Sequence, residues 1–283
     1  MDEKDIFHHW LSWATEFGTE LRATTKTWTA KAIEVDAFAR RISELSGDLP
    51  TGTALEIGCG NGVNCIELAG RFSNMLFDGI DYVPEMVNSA RKNANENSLS
   101  DRLRFFQGDV LSIKEHEDLR EEYDFVFTDR CLINLNSTDL QKQAISELAT
   151  LIKPGGYLLM IENSQQTYDM QNRCREIVGL QPRTPASFNT FFDESEIKPH
   201  LASICLEVEE VEDFISLHDI VLYVLVPAIN GGKVDYNHPL VEAATRLNIG
   251  LAAESPSALG SFGQNRLFVC RRPLEGNLGE ANR

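Results

Sequence analysis

The chain has 283 residues, 42% of them hydrophobic and 24% charged, a usage that can bury one substantial core and excludes a disordered or low-complexity polymer. Lys and Arg number 26 against 43 Asp and Glu, a net charge of −17 that repels a phosphate backbone, so no nucleic-acid partner is expected. The longest apolar run, residues 220–229, is too short to cross a bilayer, and the acidic start Met1-Asp2-Glu3-Lys4 lacks the basic and apolar regions of a signal peptide; a cytoplasmic protein with no membrane partner is expected.

In chain order, residues 6–45 carry apolar side chains at helical spacing, among them Ile33, Val35, Phe38 and Ile42, with charges between them, which predicts an N-terminal helical cap over residues 1–50. A Gly/Pro turn at residues 47–52 ends the cap, and the remainder, residues 51–283, is read as one domain. Strands are predicted at residues 54–57, 75–80, 103–107, 125–128 and 157–162, and helices at 63–72, 84–95 and 139–152. Short apolar strands alternating with helices call for a parallel sheet covered on both faces, with ligands at the strands' C-terminal ends. Beyond residue 162 the pattern loosens: a helix near residues 170–178, a Pro- and Phe-rich loop, strands at 205–214 and 266–271, and between those an insertion over residues 215–265. The tail from residue 273 reads as frayed and polar. The cysteines, Cys59, Cys65, Cys131, Cys174, Cys205 and Cys270, have no C-x-x-C spacing and no paired His, so free buried thiols and no metal site are expected.

The strongest chemical signal is Glu56-Ile57-Gly58-Cys59-Gly60-Asn61-Gly62, between a predicted strand and a predicted helix. Glycines there let the chain turn tightly and bring backbone N–H groups to a ligand at a helix N-terminus. A dinucleotide fingerprint would need a third small residue at position 63, where Val63 stands. The run instead resembles the first motif of class I S-adenosylmethionine-dependent methyltransferases, whose loop wraps the methionine part of the cofactor.

Four further runs follow in that family's order: Gly79-Ile80-Asp81-Tyr82, Gln107-Gly108-Asp109-Val110, the segment from Tyr123 to Leu135, and Lys153-Pro154-Gly155-Gly156-Tyr157 leading into a strand. The resemblance implies S-adenosyl-L-methionine as cofactor. It implies a Rossmann-like α/β fold, a seven-stranded, mostly parallel sheet with helices on both faces, its last strand inserted antiparallel. It also implies cofactor-binding roles for Glu56, Gly58, Gly60, Gly62, Asp81, Tyr82, Asp109, Val110, Asp129 and Arg130. Asp81 would accept hydrogen bonds from both ribose hydroxyls, or else serve as a turn or N-cap residue. Asp109 would face the adenine amino group with Val110 against the ring, and Asp129 and Arg130 would sit beside the reactive methyl. Arg22, Thr25 and Trp28 of the cap would close over the cofactor's carboxylate.

Methyl transfer from a sulfonium is an in-line displacement, so the protein mainly aligns the acceptor and excludes water; only a hydroxyl acceptor calls for a general base. Two catalytic candidates follow: His218, oriented by Asp219 after the sixth strand, against a structural histidine, and Asp129, against a purely cofactor-holding role. The expected reaction is methylation of a small-molecule hydroxyl or amine. Alternatives are a sugar on a bacterial glycan, a protein acceptor, a cofactor-binding regulatory module without turnover, and a nicotinamide-dependent oxidoreductase. Residues 187–194 and the aromatic-bearing insertion are the expected acceptor walls, while the apolar run at residues 220–229 offers the alternative of a homodimer interface.

Overall fold

A computed structural model describes residues 3–47, 51–255, 258 and 260–274; residues 48–50 of the expected turn and the tail from residue 275 lie outside the described residues. Seven strands, β1 (Gly52–Ile57), β2 (Met75–Asp81), β3 (Leu103–Gln107), β4 (Tyr123–Asp129), β5 (Ile152–Asn163), β6 (Glu207–Glu212) and β7 (Asn265–Arg271), form one sheet in the order β3-β2-β1-β4-β5-β7-β6. The neighbours among β1 to β5 pair in parallel, and β7 runs antiparallel to both β5 and β6. The chain leaves β1 toward β2 and β3 on one side and returns to β4 on the other, so the order reverses between β1 and β4 and opens a crevice at their C-terminal ends.

Successive strand residues point to opposite faces, and each face has its own core. On one, Ala54, Phe77, Phe125, Phe127 and Leu159 pack against α3 (Val63–Arg71) and α4 (Pro84–Glu96). On the other, Leu55, Ile57, Val126, Leu158 and Phe268 pack against α5 (Thr138–Ala149) and a further helix, Glu194–Ser203. The sequence gives that helix a poor signal, because Pro199 lies inside it; Asp193 caps it by accepting from the Ser195 N–H at 2.9 Å.

The expected cap divides in two. Helix α1 (Glu3–Phe17) lies over α4 through Trp10, Leu11 and Phe17. Helix α2 (Trp28–Ser46) is no cap: Ile33, Val35, Phe38 and Ile42 belong to the first core, and the Phe38 ring lies 5.0 Å from that of Phe127.

The insertion is helical, with α8 (Ser216–Ile220), a π-helical turn at Val221–Leu225, α9 (Val226–Ile229) and α10 (Pro239–Glu254), numbered after α6 (Gln165–Ile177) and α7, the Glu194–Ser203 helix. Pro227 has no N–H to give the Tyr223 carbonyl four residues back, and the Arg175 guanidinium donates to that carbonyl instead. No helix among the described residues is long and apolar enough to cross a membrane.

Asp78 and Asp81, three residues apart on β2, have separate tasks. Asp78 is fully buried inside the strand and accepts from the Tyr123 hydroxyl at 2.6 Å and from Arg104 Nε at 2.8 Å, with Arg120 3.2 Å away. Asp78→Ala strands the Tyr123 hydroxyl and should lower stability in urea denaturation by about 1–3 kcal/mol, the cost of leaving a buried partner unsatisfied, without altering ligand affinity.

Candidate active site

The glycine run leaves β1 at the crevice, with Gly58, Gly60 and Gly62 at φ of 69°, 52° and 80°, backbone that side-chain-bearing residues avoid. A Cβ on Gly58 would run into Cys131 Sγ after β4, and one on Gly60 into Thr24 Cγ2. The loop is therefore tight against its own protein as well as open to a ligand. Asn61 ties it to the N-terminal segment, donating from Nδ2 to the carbonyls of Glu20 (2.8 Å) and Gly18 (3.3 Å).

Around this loop lies a cavity of about 760 Å³, within the range of small-molecule sites. Asp81 lines it from the end of β2; its Oδ2 accepts from the Gly60 N–H at 2.8 Å and its Oδ1 from the Val83 N–H at 2.9 Å. Burial outweighs those two bonds and pushes the Asp81 carboxyl up to about 6. Tyr82 sits half-exposed at the rim, edge-on to Phe7. Asp109 and Val110 line the wall after β3, where Asp109 caps a 3-10 turn through the Leu111 N–H at 2.9 Å.

Glu56 is buried, accepting from Asn64 Nδ2 at 2.7 Å and from the Cys65 thiol at 3.0 Å, and burial pushes it up to about 8 against those contacts.

At the end of β4 the cavity wall is a closed set of charges. Lys31 and Glu34, one turn apart on α2, meet Asp129 and Arg130: Lys31 Nζ bonds Asp129 and lies 2.9 Å from Glu34, while Arg130 Nε lies 3.0 Å from Glu34 and 3.5 Å from Asp129. Asn64 donates to Asp129 at 3.0 Å and Asn265 to Glu34 at 3.1 Å. Burial alone would raise the Asp129 carboxyl, but the Lys31 and Arg130 charges outweigh it and hold it down to about 2. Arg130 adopts a left-handed φ of 53°, unusual for a side-chain-bearing residue, where its N–H meets the Ile161 carbonyl at 2.7 Å.

Every cofactor-binding residue nominated from sequence, apart from Gly62 just behind the loop, lines this cavity. His218 does not. Its ring is fully buried, Nδ1 lies 2.9 Å from Asp219 Oδ1, and Nε2 has no partner among the described residues. Asp219 reaches the cavity in its place. Of the three cap residues expected to close over the cofactor, Thr25 lines the cavity, whereas Arg22 stacks on Phe17 and Trp28 is half-exposed outside it. Sequence reasoning passed over Lys31, Glu34 and His9; His9 lines the cavity, stacks on Phe188 with ring centroids 4.6 Å apart, and has its imidazole pKa lowered by burial. Five of the six thiols are at least half-buried, but Cys205 is exposed, and all six are free.

Residues 50–203, more than half of the chain, match the family described as methyltransferase domain. The chain belongs to the class I S-adenosylmethionine-dependent methyltransferases. It is similar to an uncharacterized protein of Rickettsia prowazekii, 25% identical over 162 residues that cover 56% of this chain and 61% of the relative. It is 30% identical over 108 residues to a demethylmenaquinone methyltransferase of Deinococcus radiodurans, covering 38% of this chain and 42% of that one. The chain thus spans about half the length of the curated relatives it matches. Among solved structures, the magnesium protoporphyrin IX methyltransferase of Synechocystis with bound S-adenosylhomocysteine superposes with a TM-score of 0.61 at 16% identity, covering 96% of this chain and all of that one. The [4+2]-cyclase SpnF superposes at 0.55 and 18% identity over 84% of this chain and 82% of its own. At these identities the superpositions show the fold: a seven-stranded methyltransferase sheet. The family's cofactor is S-adenosylmethionine.

The methyltransferase wall at β4 depends on Lys31. Lys31→Met would leave Glu34 and Asp129 to share one guanidinium, and urea denaturation should register a loss of about 3 kcal/mol, the low end for removing one partner of a buried pair. Adding Asp129→Asn restores neutrality and should recover part of that loss.

Proposed function

We propose that this protein transfers the methyl group of S-adenosylmethionine to a small-molecule acceptor held between the glycine loop and the helical insertion. The observation that carries the reading is the single cavity that joins the loop, the ends of β2, β3 and β4, and the insertion residues Leu222, Tyr223 and Tyr236. Bound there, the cofactor supplies an electrophilic methyl on a sulfonium whose charge vanishes on transfer.

The chain's own residues fit that ligand. In this reading the Asp81 oxygens, each with a lone pair beyond its backbone contact, accept from the ribose hydroxyls. Val110, Ile80 and Leu111 flank a flat ring, with Asp109 at its polar edge. The turn at Gly58 and Gly60 and the Glu56–Asn64 pair line the cavity where this reading puts the amino-acid end.

Asp129 is assigned to the electrostatics of the site and not to proton transfer, since a carboxyl held near 2 and bonded to Lys31 is a weak base. A buried His218 outside the cavity positions Asp219 and the insertion; it does not meet the acceptor. The β4 segment and the aromatic residues Phe188, Phe191 and Tyr223 supply the walls that align the acceptor and keep water out.

The test has two parts. Label from methyl-tritiated S-adenosylmethionine should pass to a member of a metabolite library in the presence of the wild-type protein, and Tyr223→Ala should lose that transfer while retaining affinity for S-adenosylhomocysteine. Quenching of the Trp10 and Trp13 fluorescence by S-adenosylhomocysteine should show Asp81→Ala weakened by roughly 1.5–3 kcal/mol, as for lost hydrogen bonds to a charged group. Because the folded-state carboxyl titrates near 6, wild-type affinity should fall as pH drops through 6, where protonation removes an acceptor, and Asp81→Asn should flatten that dependence. An Asp81→Ala variant that is folded and binds as wild type would reduce Asp81 to a turn residue.

A further inference from the structure

Four cationic side chains line the cavity: Lys26, Lys31, Arg130 and Arg183. Lys31 and Arg130 are neutralised by Glu34 and Asp129. Lys26 and Arg183 form no ion pair with any described residue, in a chain whose acids outnumber its bases by 17.

Arg183 is nonetheless held firmly. Its backbone N–H donates to Asn172 Oδ1 at 2.8 Å and its carbonyl accepts from Asn172 Nδ2 at 3.0 Å. Its guanidinium lies 3.7 Å over the Tyr223 ring, with Nη1 donating to Gln171 Oε1 (2.9 Å) and Gln264 Oε1 (3.1 Å). All of these partners are neutral, and Nε and Nη2 donate to no described residue, so part of the fork is open for a planar anion.

The neighbouring Arg175 does not relieve the charge. Its donors go to the carbonyls of Gln181 and Tyr223, and burial together with Arg183 lowers its pKa. On the other side Tyr223 meets Tyr236 edge-on, and Lys26 Nζ sits 5.4 Å over the Tyr236 ring at the mouth. The acids that line the cavity are already engaged: Glu34 and Asp129 as above, Asp81 and Asp109 by backbone N–H groups, Glu56 by Asn64 and Cys65, and Asp219 by His218 and by the Gln264 N–H at 2.7 Å.

We propose that the acceptor is an anion, docked through a carboxylate or phosphate group on the open edge of Arg183, with Lys26 as a second contact at the mouth. Uncompensated, rigidly held guanidinium in a partly desolvated cavity costs free energy that an anionic ligand returns, and the Tyr223 face keeps the fork oriented while the site is empty. The proposal rests on the methyltransferase reading and narrows its substrate class; neutral alcohols and amines become poor acceptors.

Saturation-transfer NMR on protein saturated with S-adenosylhomocysteine tests it, with benzoate, succinate and phenyl phosphate as probes and benzamide, succinamide and phenol as their uncharged counterparts. Binding of S-adenosylhomocysteine is measured first, by tryptophan fluorescence, and its failure would defeat the underlying reading separately. The anions should bind and the neutral counterparts should not, with the carboxylates and phenyl phosphate compared directly to name the preferred group. Arg183→Gln should weaken anion binding by about tenfold, the loss expected for one charge-assisted hydrogen bond, while Arg183→Lys and Lys26→Gln lose less and all three retain the nucleoside. Equal binding of the neutral probes, no response from any anion, or anion binding unchanged in folded Arg183→Gln would overturn the proposal.

Discussion

The site depends on a square of four charges, the buried Lys31, Glu34 and Asp129 and the partly exposed Arg130, that fixes α2 to the C-terminal end of β4. The two acids and two bases cancel, so the low-dielectric interior holds no net charge, and Asn64 and Asn265 fill remaining hydrogen-bonding positions. Because Asn64 also bonds Glu56, the square extends into the glycine loop; because Asn265 opens β7, it extends into the antiparallel end of the sheet. One helix outside the βα repeat is thereby locked to the switch point of the sheet. The charges that look available to a ligand at the end of β4 are already committed to one another.

That commitment reshapes the chemistry. A sulfonium carries its own leaving group and its own charge, so the protein has little covalent work to do and much alignment. Asp129, held down to about 2 by Lys31 and Arg130, stays charged at the end of β4 across the physiological range. The half of the cavity facing the insertion is built differently, from aromatic faces and two cations without an ion-pair partner among the described residues, and it is there that we propose substrate choice is made. A fold does not fix a reaction: the same sheet is found in a protein named a [4+2]-cyclase.

The parallel sheet and the cavity at its strand ends were legible because both are written in local signals: apolar strands of fixed length, a glycine turn, and an acid at each strand end. Asp81, Asp109 and Asp129 all line the cavity as their positions imply. Residues whose role depends on tertiary placement were not legible. Lys31 and Glu34 stood only among the charges between the apolar residues of a predicted helix, and such charges look alike whether they meet water or each other. Arg183 lies in a Pro-rich segment without periodicity, so nothing local marks it. His218 followed the sixth strand as a mouth residue would, yet the insertion folds back as helices and buries the ring beside Asn248, whose Oδ1 accepts from the His218 N–H at 3.2 Å. The run at residues 220–229 likewise read as one apolar stretch, and only Pro227 hinted that it breaks into a π-helical turn that delivers Tyr223 to the cavity.

The ligand that the glycine loop accepts decides what this cavity does, and calorimetric titration of the wild-type protein measures that directly. S-adenosylmethionine and S-adenosylhomocysteine should each bind with one site per chain, competing with one another, while nicotinamide dinucleotides give no heat. Saturable binding of a nicotinamide dinucleotide, with no heat from either the sulfonium or the thioether, would contradict it.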